Sequence, residues 1–232
     1  MTAISTSSLT KCYGTVTAVK DLDLTVNRGE IFGFVGPNGA GKSTTISLLL
    51  GFLRPSAGTI RVLDMPVAEN PRSIREQVGV LPERCGLFGR ITGREHVAWS
   101  IDIHDAADPP IAYLDRVGLA DAADQPTREY STGMAQRLRL ALALVGDPEL
   151  LILDEPAAGL DPTGISRLRE IVLAERDRGA TVFFSSHHLA DVGYVSDRVG
   201  FLIGGTLRAV VDPSTSERTL GEEFDALIRG QQ

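Results

Sequence analysis

The chain has 232 residues, 43% hydrophobic and 23% charged, with a formal net charge of −7. That length buries a core without help from disulfides or metals, and the acidic balance excludes a broad attraction to nucleic acid or anionic lipid. Cys12 and Cys85 lie far apart without metal-ligand spacing and read as free thiols in a reducing compartment. The polar N-terminus lacks an apolar signal core. No run approaches the roughly 18 uninterrupted apolar residues of a membrane span.

The first third predicts short strands at residues 9–13, 22–26 and 30–35, each mixing apolar and β-favouring residues between turns. A helix at 42–50 follows, then a strand at 59–63 after the turn Pro55-Ser56-Ala57-Gly58. Between 83 and 130 the character changes. Residues 96–103 and 111–117 have helical spacing around an Asp/Pro-rich turn, with no clear strand, which reads as a helical lobe inserted into the main domain. Beyond it come helix 135–145, strand 150–153, helix 163–178, strand 181–185 and helix 189–195. Alternation of this kind implies a parallel sheet covered on both faces. Residues 199–203 and 207–211 flank Gly204-Gly205, a hairpin signal, and 219–228 predicts a closing helix. The expected organisation is one domain, with a core of residues 1–82 and 131–232 and a lobe of 83–130.

The strand Ile31-Phe32-Gly33-Phe34-Val35 runs into Gly36-Pro37-Asn38-Gly39-Ala40-Gly41-Lys42-Ser43-Thr44. This is GxxxxGK[ST] between a strand and a helix, the context of a phosphate-binding P-loop. Glycines let backbone N–H groups wrap phosphates without Cβ clashes, and the helix points its positive end at the anion. Lys42 is expected to reach the β- and γ-phosphates and Ser43 to hold Mg²⁺. Downstream, the apolar run Leu150-Leu151-Ile152-Leu153 ends in Asp154-Glu155. Ligands bind at the carboxyl ends of parallel strands. Asp154 there is a candidate Mg²⁺ ligand, and Glu155 a candidate to orient or deprotonate the attacking water.

Further motifs in order complete a pattern. Tyr130-Ser131-Thr132-Gly133-Met134, followed by Gln136-Arg137, precedes the carboxylate strand; Ala158-Gly159-Leu160-Asp161 follows it; Ser185-Ser186-His187 ends the next strand. With these, the chain resembles the ABC ATPase family over nearly its whole length. The first segment stands where that family carries its signature, most often LSGGQ. The second is similar to its D-loop, His187 to its switch histidine, and Tyr13 to the aromatic that stacks on adenine. Ser131 and the Gly133 backbone open a helix and can donate to a phosphate at its N-terminus.

The resemblance implies an α/β fold: an ABC-type P-loop NTPase core with a mostly parallel sheet, an N-terminal antiparallel β subdomain and an inserted α-helical lobe. It implies an ATPase using ATP and Mg²⁺. Lys42, Glu155 and His187 would be catalytic; Tyr13, residues 36–44, Glu83, Ser131, Gly133 and Asp161 would bind nucleotide; Ser43, Asp154 and Glu83 would hold the metal. It further implies an ATP-sandwich dimer, in which Ser131 and Gly133 serve a second copy, driving a separate transmembrane permease that docks on the lobe. No nucleic acid partner is expected. The chain would sit on the cytoplasmic face of the cell membrane.

The sequence departs from the family pattern at Thr132, where Gly is usual, at Met134, where Gln is usual, at Glu83, which occupies the Q-loop glutamine position, and at Ala157, often Thr. A carboxylate binds metal or water but donates no amide proton. The YSxGM form resembles the signature of ABC-2-type drug and antibiotic export ATPases, which favours an exporter. The alternative is a non-transport ABC ATPase acting on DNA or ribosomes, a kind that usually carries a coiled-coil insertion or two ATPase domains in one chain. A nucleotide-dependent binding module with little hydrolysis fits poorly with Lys42, Asp154, Glu155 and His187 together.

Overall fold

The computed structural model describes residues 1–83 and 85–229. The chain opens with two twelve-residue strands, β1 (Thr2–Tyr13) and β2 (Val16–Asn27). These pair antiparallel, and β1 also pairs antiparallel with β4 (Ala57–Val62), which pairs with the two-residue β5 (Met65–Pro66). Both strands outrun the short segments that their composition predicts. Register shifts interrupt the pairing, and Ser8 and Asp21 adopt φ of 45° and 44°, so the apolar alternation is broken while the strands continue.

The second sheet has the order β10-β9-β3-β8-β7-β6. Its members are β3 (Ile31–Val35), β6 (Val78–Leu81), β7 (Leu150–Asp154), β8 (Thr181–Ser186), β9 (Arg198–Ile203) and β10 (Thr206–Val211). All neighbours are parallel except β9 and β10, the hairpin closed by Gly204 and Gly205 at φ 57° and 79°. β3, β7 and β8 are buried throughout. Their side chains alternate between two cores: Ile31, Leu151, Leu153, Val182 and Phe184 face one, while Phe32, Phe34, Leu150, Ile152 and Phe183 face the other. The second core also takes the inner face of the antiparallel sheet and α1 (Lys42–Leu49).

Besides the two-residue β5, a helix and a strand have no counterpart in the sequence-based expectations. α2 (Pro71–Gln77) is a seven-residue helix with Pro at its start, too short for a periodic signal. The edge strand β6 reads Val-Gly-Val-Leu, four residues with a glycine inside, and its register with β7 comes from the sheet.

The lobe contains α3 (Gly93–His104) and α4 (Pro110–Arg116). Thr92 and Glu95 form a reciprocal capping box at the start of α3. His96 braces the segment that enters this helix, because its Nδ1 donates to the Thr92 carbonyl at 2.8 Å and its Nε2 accepts from Phe88 N at 3.0 Å. α5 (Thr132–Leu144), beginning just past the expected lobe boundary, packs on α3 and α4 and also on β6. It ties lobe to core. α6 (Pro162–Asp177), α7 (Leu189–Val195) and α8 (Leu220–Arg229) complete the layer over the first core.

Candidate functional site

Parallel strands point the same way, so whatever follows them is delivered to one edge of the sheet. Val35 is level with Ser186, and Asp154 is level with Ser185. The P-loop after β3, Glu155 after β7 and His187 after β8 therefore meet. A cleft of about 430 Å³ is lined by Asn38, Gly39, Ala40, Gly41, Lys42, Ser43 and Thr44 together with Glu83, Glu155, His187, Ala18 and Ala158. A second cleft, of about 450 Å³ beside β6, contains none of the motif residues.

The loop backbone needs glycine at Gly41. Its φ is 105°, and a Cβ there would lie 2.3 Å from the Ala18 carbonyl of β2. The hairpin braces the same loop: Gly205 N donates to the Ala40 carbonyl at 3.1 Å, and Lys20 N to the Gly205 carbonyl at 2.7 Å. Lys42 folds back into the loop, where Nζ donates to the Gly36 carbonyl at 2.8 Å and to that of Pro37 at 3.4 Å. It also lies 3.2 Å from Glu155 Oε1, with side-chain exposures of only 6% and 13%.

Glu155 has a φ of 51°, a left-handed conformation that costs a non-glycine residue on the order of 1 kcal/mol. Contacts on every side hold it there. Its N–H donates to Ser185 Oγ at 3.0 Å, its carbonyl accepts from Ala158 N at 3.1 Å, and Oε2 lies 2.8 Å from His187 Nδ1. Against an ionised carboxylate, Nδ1 is the donor; Nε2 then accepts in a neutral ring and donates in a protonated one. Ser185 Oγ donates in turn to Asp154 Oδ1. Burial pushes the Asp154 carboxyl above its usual range. Hydrogen bonds from the Ser185 and Ser43 hydroxyls oppose this, and the charges of Glu83 and Glu155 reinforce it. Asp154 has hydroxyl partners and negative neighbours, the electrostatic setting that a cation would relieve. Among the described residues no group of three or more His, Cys, Asp or Glu side chains forms a protein-only cage. The Asp154 carboxylate and Ser43 hydroxyl are hard oxygen donors of the kind Mg²⁺ takes, usually one or two carboxylates plus phosphate oxygens.

The remaining expected residues lie elsewhere. Ser131 caps α5, its Oγ accepting from Met134 N at 3.2 Å, and Asp161 caps α6, its Oδ1 accepting from Gly164 N at 2.7 Å. Gly133 backs onto the Gly159 carbonyl, 3.3 Å from where a Cβ would sit, so the signature and D-loop segments touch each other. Tyr13 does not line the cleft; its half-exposed ring lies at the end of β1 under Lys11 Nζ, 5.2 Å from the centroid. Two participants went unread in the sequence. Ala18 walls the cleft but sits in an ordinary strand, with no signal to find it. Ser185 bridges Asp154 and Glu155; the Ser-Ser-His run marked its position without revealing that bridge.

A family model described as "ABC transporter" matches residues 19–158. An uncharacterised ABC transporter ATP-binding protein of Nostoc sp. is 39% identical over 98% of this chain and 71% of its own length. A fluoroquinolones export ATP-binding protein of Mycobacterium tuberculosis is 40% identical over 85% of this chain and 66% of its own. The chain thus spans about two thirds of the length of these curated relatives. A solved ATP-binding subunit of an ABC transporter superposes with a TM-score of 0.88 at 28% identity, covering 97% of this chain and 99% of that one.

Proposed function

This chain belongs to the ABC transporter family, and we propose that it is the Mg²⁺-dependent ATPase subunit of an exporter, working as a head-to-tail pair beneath a separate permease. The observation that carries the reading is the meeting of Lys42, Asp154, Glu155 and His187 at one sheet edge, with Ser131 and Gly133 outside that cleft. The export names of relatives such as the fluoroquinolones export protein support the direction.

Lys42 transfers its ammonium from Glu155 to the β- and γ-phosphates, while the loop amides and the start of α1 hold the rest of the chain of phosphates. Ser43, Asp154 and Glu83 would hold Mg²⁺, which would supply positive charge against that building on the transferred phosphoryl group. Once released from Lys42, Glu155 takes a proton from the attacking water. His187 keeps Glu155 oriented through Nδ1 and contacts the γ-phosphate or its water. Tyr13, at the end of β1, offers its half-exposed ring to stack on adenine. Ser131 and Gly133 of a second copy donate to the γ-phosphate, with Asp161 beside them, and so complete the site.

The lobe supports a membrane partner. Phe88, Trp99 and Ile103 are 67%, 51% and 79% exposed, and Phe88 and Trp99 form an edge-on ring pair. Contiguous exposed apolar surface of this kind marks an interaction face, here for a permease helix. No described helix is long and apolar enough to cross a membrane. The test is the rate of Mg-ATP hydrolysis over a hundredfold range of protein concentration. Specific activity is expected to rise with concentration, since each site needs a second copy. A flat profile would refute the paired site.

A further inference from the structure

Behind the cleft, α6 and α7 are joined by a polar clamp that has no part in the hydrolysis steps above. Arg169, on α6, donates from Nη2 to Asp191 Oδ1 at 2.7 Å. Its guanidinium lies 4.6 Å from the ring centroid of Tyr194, on α7. Its Nε is buried with no hydrogen-bond partner. The two charged side chains are 28% and 22% exposed, so solvent screens them less than an open surface pair.

The clamp lies beside the two segments that carry the Glu155–His187 contact. Asp191 lies in the first turn of α7, whose N-cap is His188, so His187 immediately precedes that helix. On the other side, a small cavity is walled by Pro156, Ala157, Leu168, Arg169, Phe184 and Asp191, and the first two follow Glu155 directly in the chain. The rest of α7 is held differently. Val192 seats on Gly33 of β3, where a Cβ would come within 2.2 Å of Val192 Cγ1, and Val195 is buried. Those contacts hold its middle and end; in the first turn Leu189 packs half-buried against the first core, and Asp191 makes the polar tie to α6.

His187 needs outside support, because its ring is 40% exposed and its described contacts are Glu155 and the His188 ring. A hydrogen bond of 2.8 Å is lost with a small displacement of either partner. We infer that Arg169 is a positioning residue: through Asp191 it fixes the first turn of α7 and so holds His187 against Glu155. This rests on the proposed roles of Glu155 and His187 in hydrolysis.

The test compares Arg169→Ala and Asp191→Asn with the parent and with Lys42→Ala. Single-turnover hydrolysis of γ-labelled ATP gives the rate, and a fluorescent ADP analogue gives the affinity. Misplacing a catalytic pair costs rate, so each clamp variant is expected to lose roughly tenfold to a hundredfold in rate with ADP affinity within about twofold of the parent. The exchanged pair, Arg169→Asp with Asp191→Arg, is expected to recover part of the loss. In a His187→Ala background, Arg169→Ala is expected to cost nothing further. Asp191→Asn keeps the helix shape and serves if Arg169→Ala does not fold. Parent-like rates in both clamp variants overturn the inference, as does an equal further loss in the His187→Ala background. Parent-like hydrolysis by Lys42→Ala instead overturns the ATPase site itself, which separates the two failures.

Discussion

In the cleft, Lys42 lies 3.2 Å from Glu155, and Glu155 is in turn 2.8 Å from His187, so groups from three separate strand ends bind one another. At the starts of α5 and α6, by contrast, Ser131 and Asp161 are each bonded to a backbone N–H three residues ahead. The first set exists only because the sheet is folded in register. The second is ordinary helix capping that any chain could make locally. A group satisfied by a distant partner can change partners when phosphate arrives. A capping group keeps its local bond, and its remaining acceptors, donors and backbone amides serve whatever packs against the helix start. In the proposed pair, the chain would carry one nearly complete half of a site and, elsewhere, the pieces that finish another.

Lys42→Ala strikes the first set hardest. It removes the cation that faces the phosphates and leaves Glu155 with His187 as its remaining side-chain partner, so nucleotide affinity is expected to fall by about 2–5 kcal/mol, with nearly all turnover lost. Equilibrium binding of a fluorescent ATP analogue reads this, and parent-like binding would remove the loop from the site. Glu155→Gln divides binding from chemistry. Turnover is expected to drop roughly 10²- to 10⁴-fold while ATP is retained, and the paired form accumulates, as seen by size exclusion with light scattering.

Ser131→Arg tests the second set. The added side chain is expected to lower hydrolysis by on the order of 10²-fold through the facing nucleotide, while ATP binding by a dilute, unpaired chain is unchanged. A fully active variant would make the capping role the whole role of Ser131.

The smallest effect falls on stability. Burial raises the Asp154 pKa in the folded chain. A folded pKa above the unfolded one favours folding fully below the unfolded value, and that contribution is lost as pH rises through the folded value. At neutral pH the ionised carboxylate thus works against folding. Asp154→Asn keeps the shape and an acceptor for Ser185, and is expected to raise the melting temperature measured without nucleotide by about 2–4 °C per kcal/mol relieved. The gain is expected to vanish below roughly pH 4, where both forms are neutral. Melts at the two pH values decide it, and no gain at neutral pH would mean that Asp154 is already compensated.

The same contrast explains what could be read from the sequence. The P-loop was legible because its glycines answer a local backbone demand, shown by the φ of 105° at Gly41. The strand carrying Asp154 was legible because a strand buried on both faces is apolar throughout. The β9–β10 hairpin announced itself through its two glycines. Helix α5 was legible as a helix, yet its packing on both lobe and core was not, because that depends on neighbours remote in sequence. For the same reason β6 and α2 escaped notice: both are too short to carry a period, and the sheet and loop around them supply their definition. The Glu155–His187 contact joins motifs that sequence order separates, so their types suggested a shared role but not a bond.

The pairing of Lys42 with Glu155 also has a kinetic side. The loop cation comes with a built-in counter-ion, so in the proposed site nucleotide entry would be an ion exchange within the protein. A small monovalent anion gains little by that exchange, because it must displace a tethered carboxylate that is always present at high local concentration. A polyphosphate brings several charges and engages the loop amides as well. With the proposed roles, the cleft would discriminate by valence before any contact with the base, and the step that loads ATP would also free Glu155 to act.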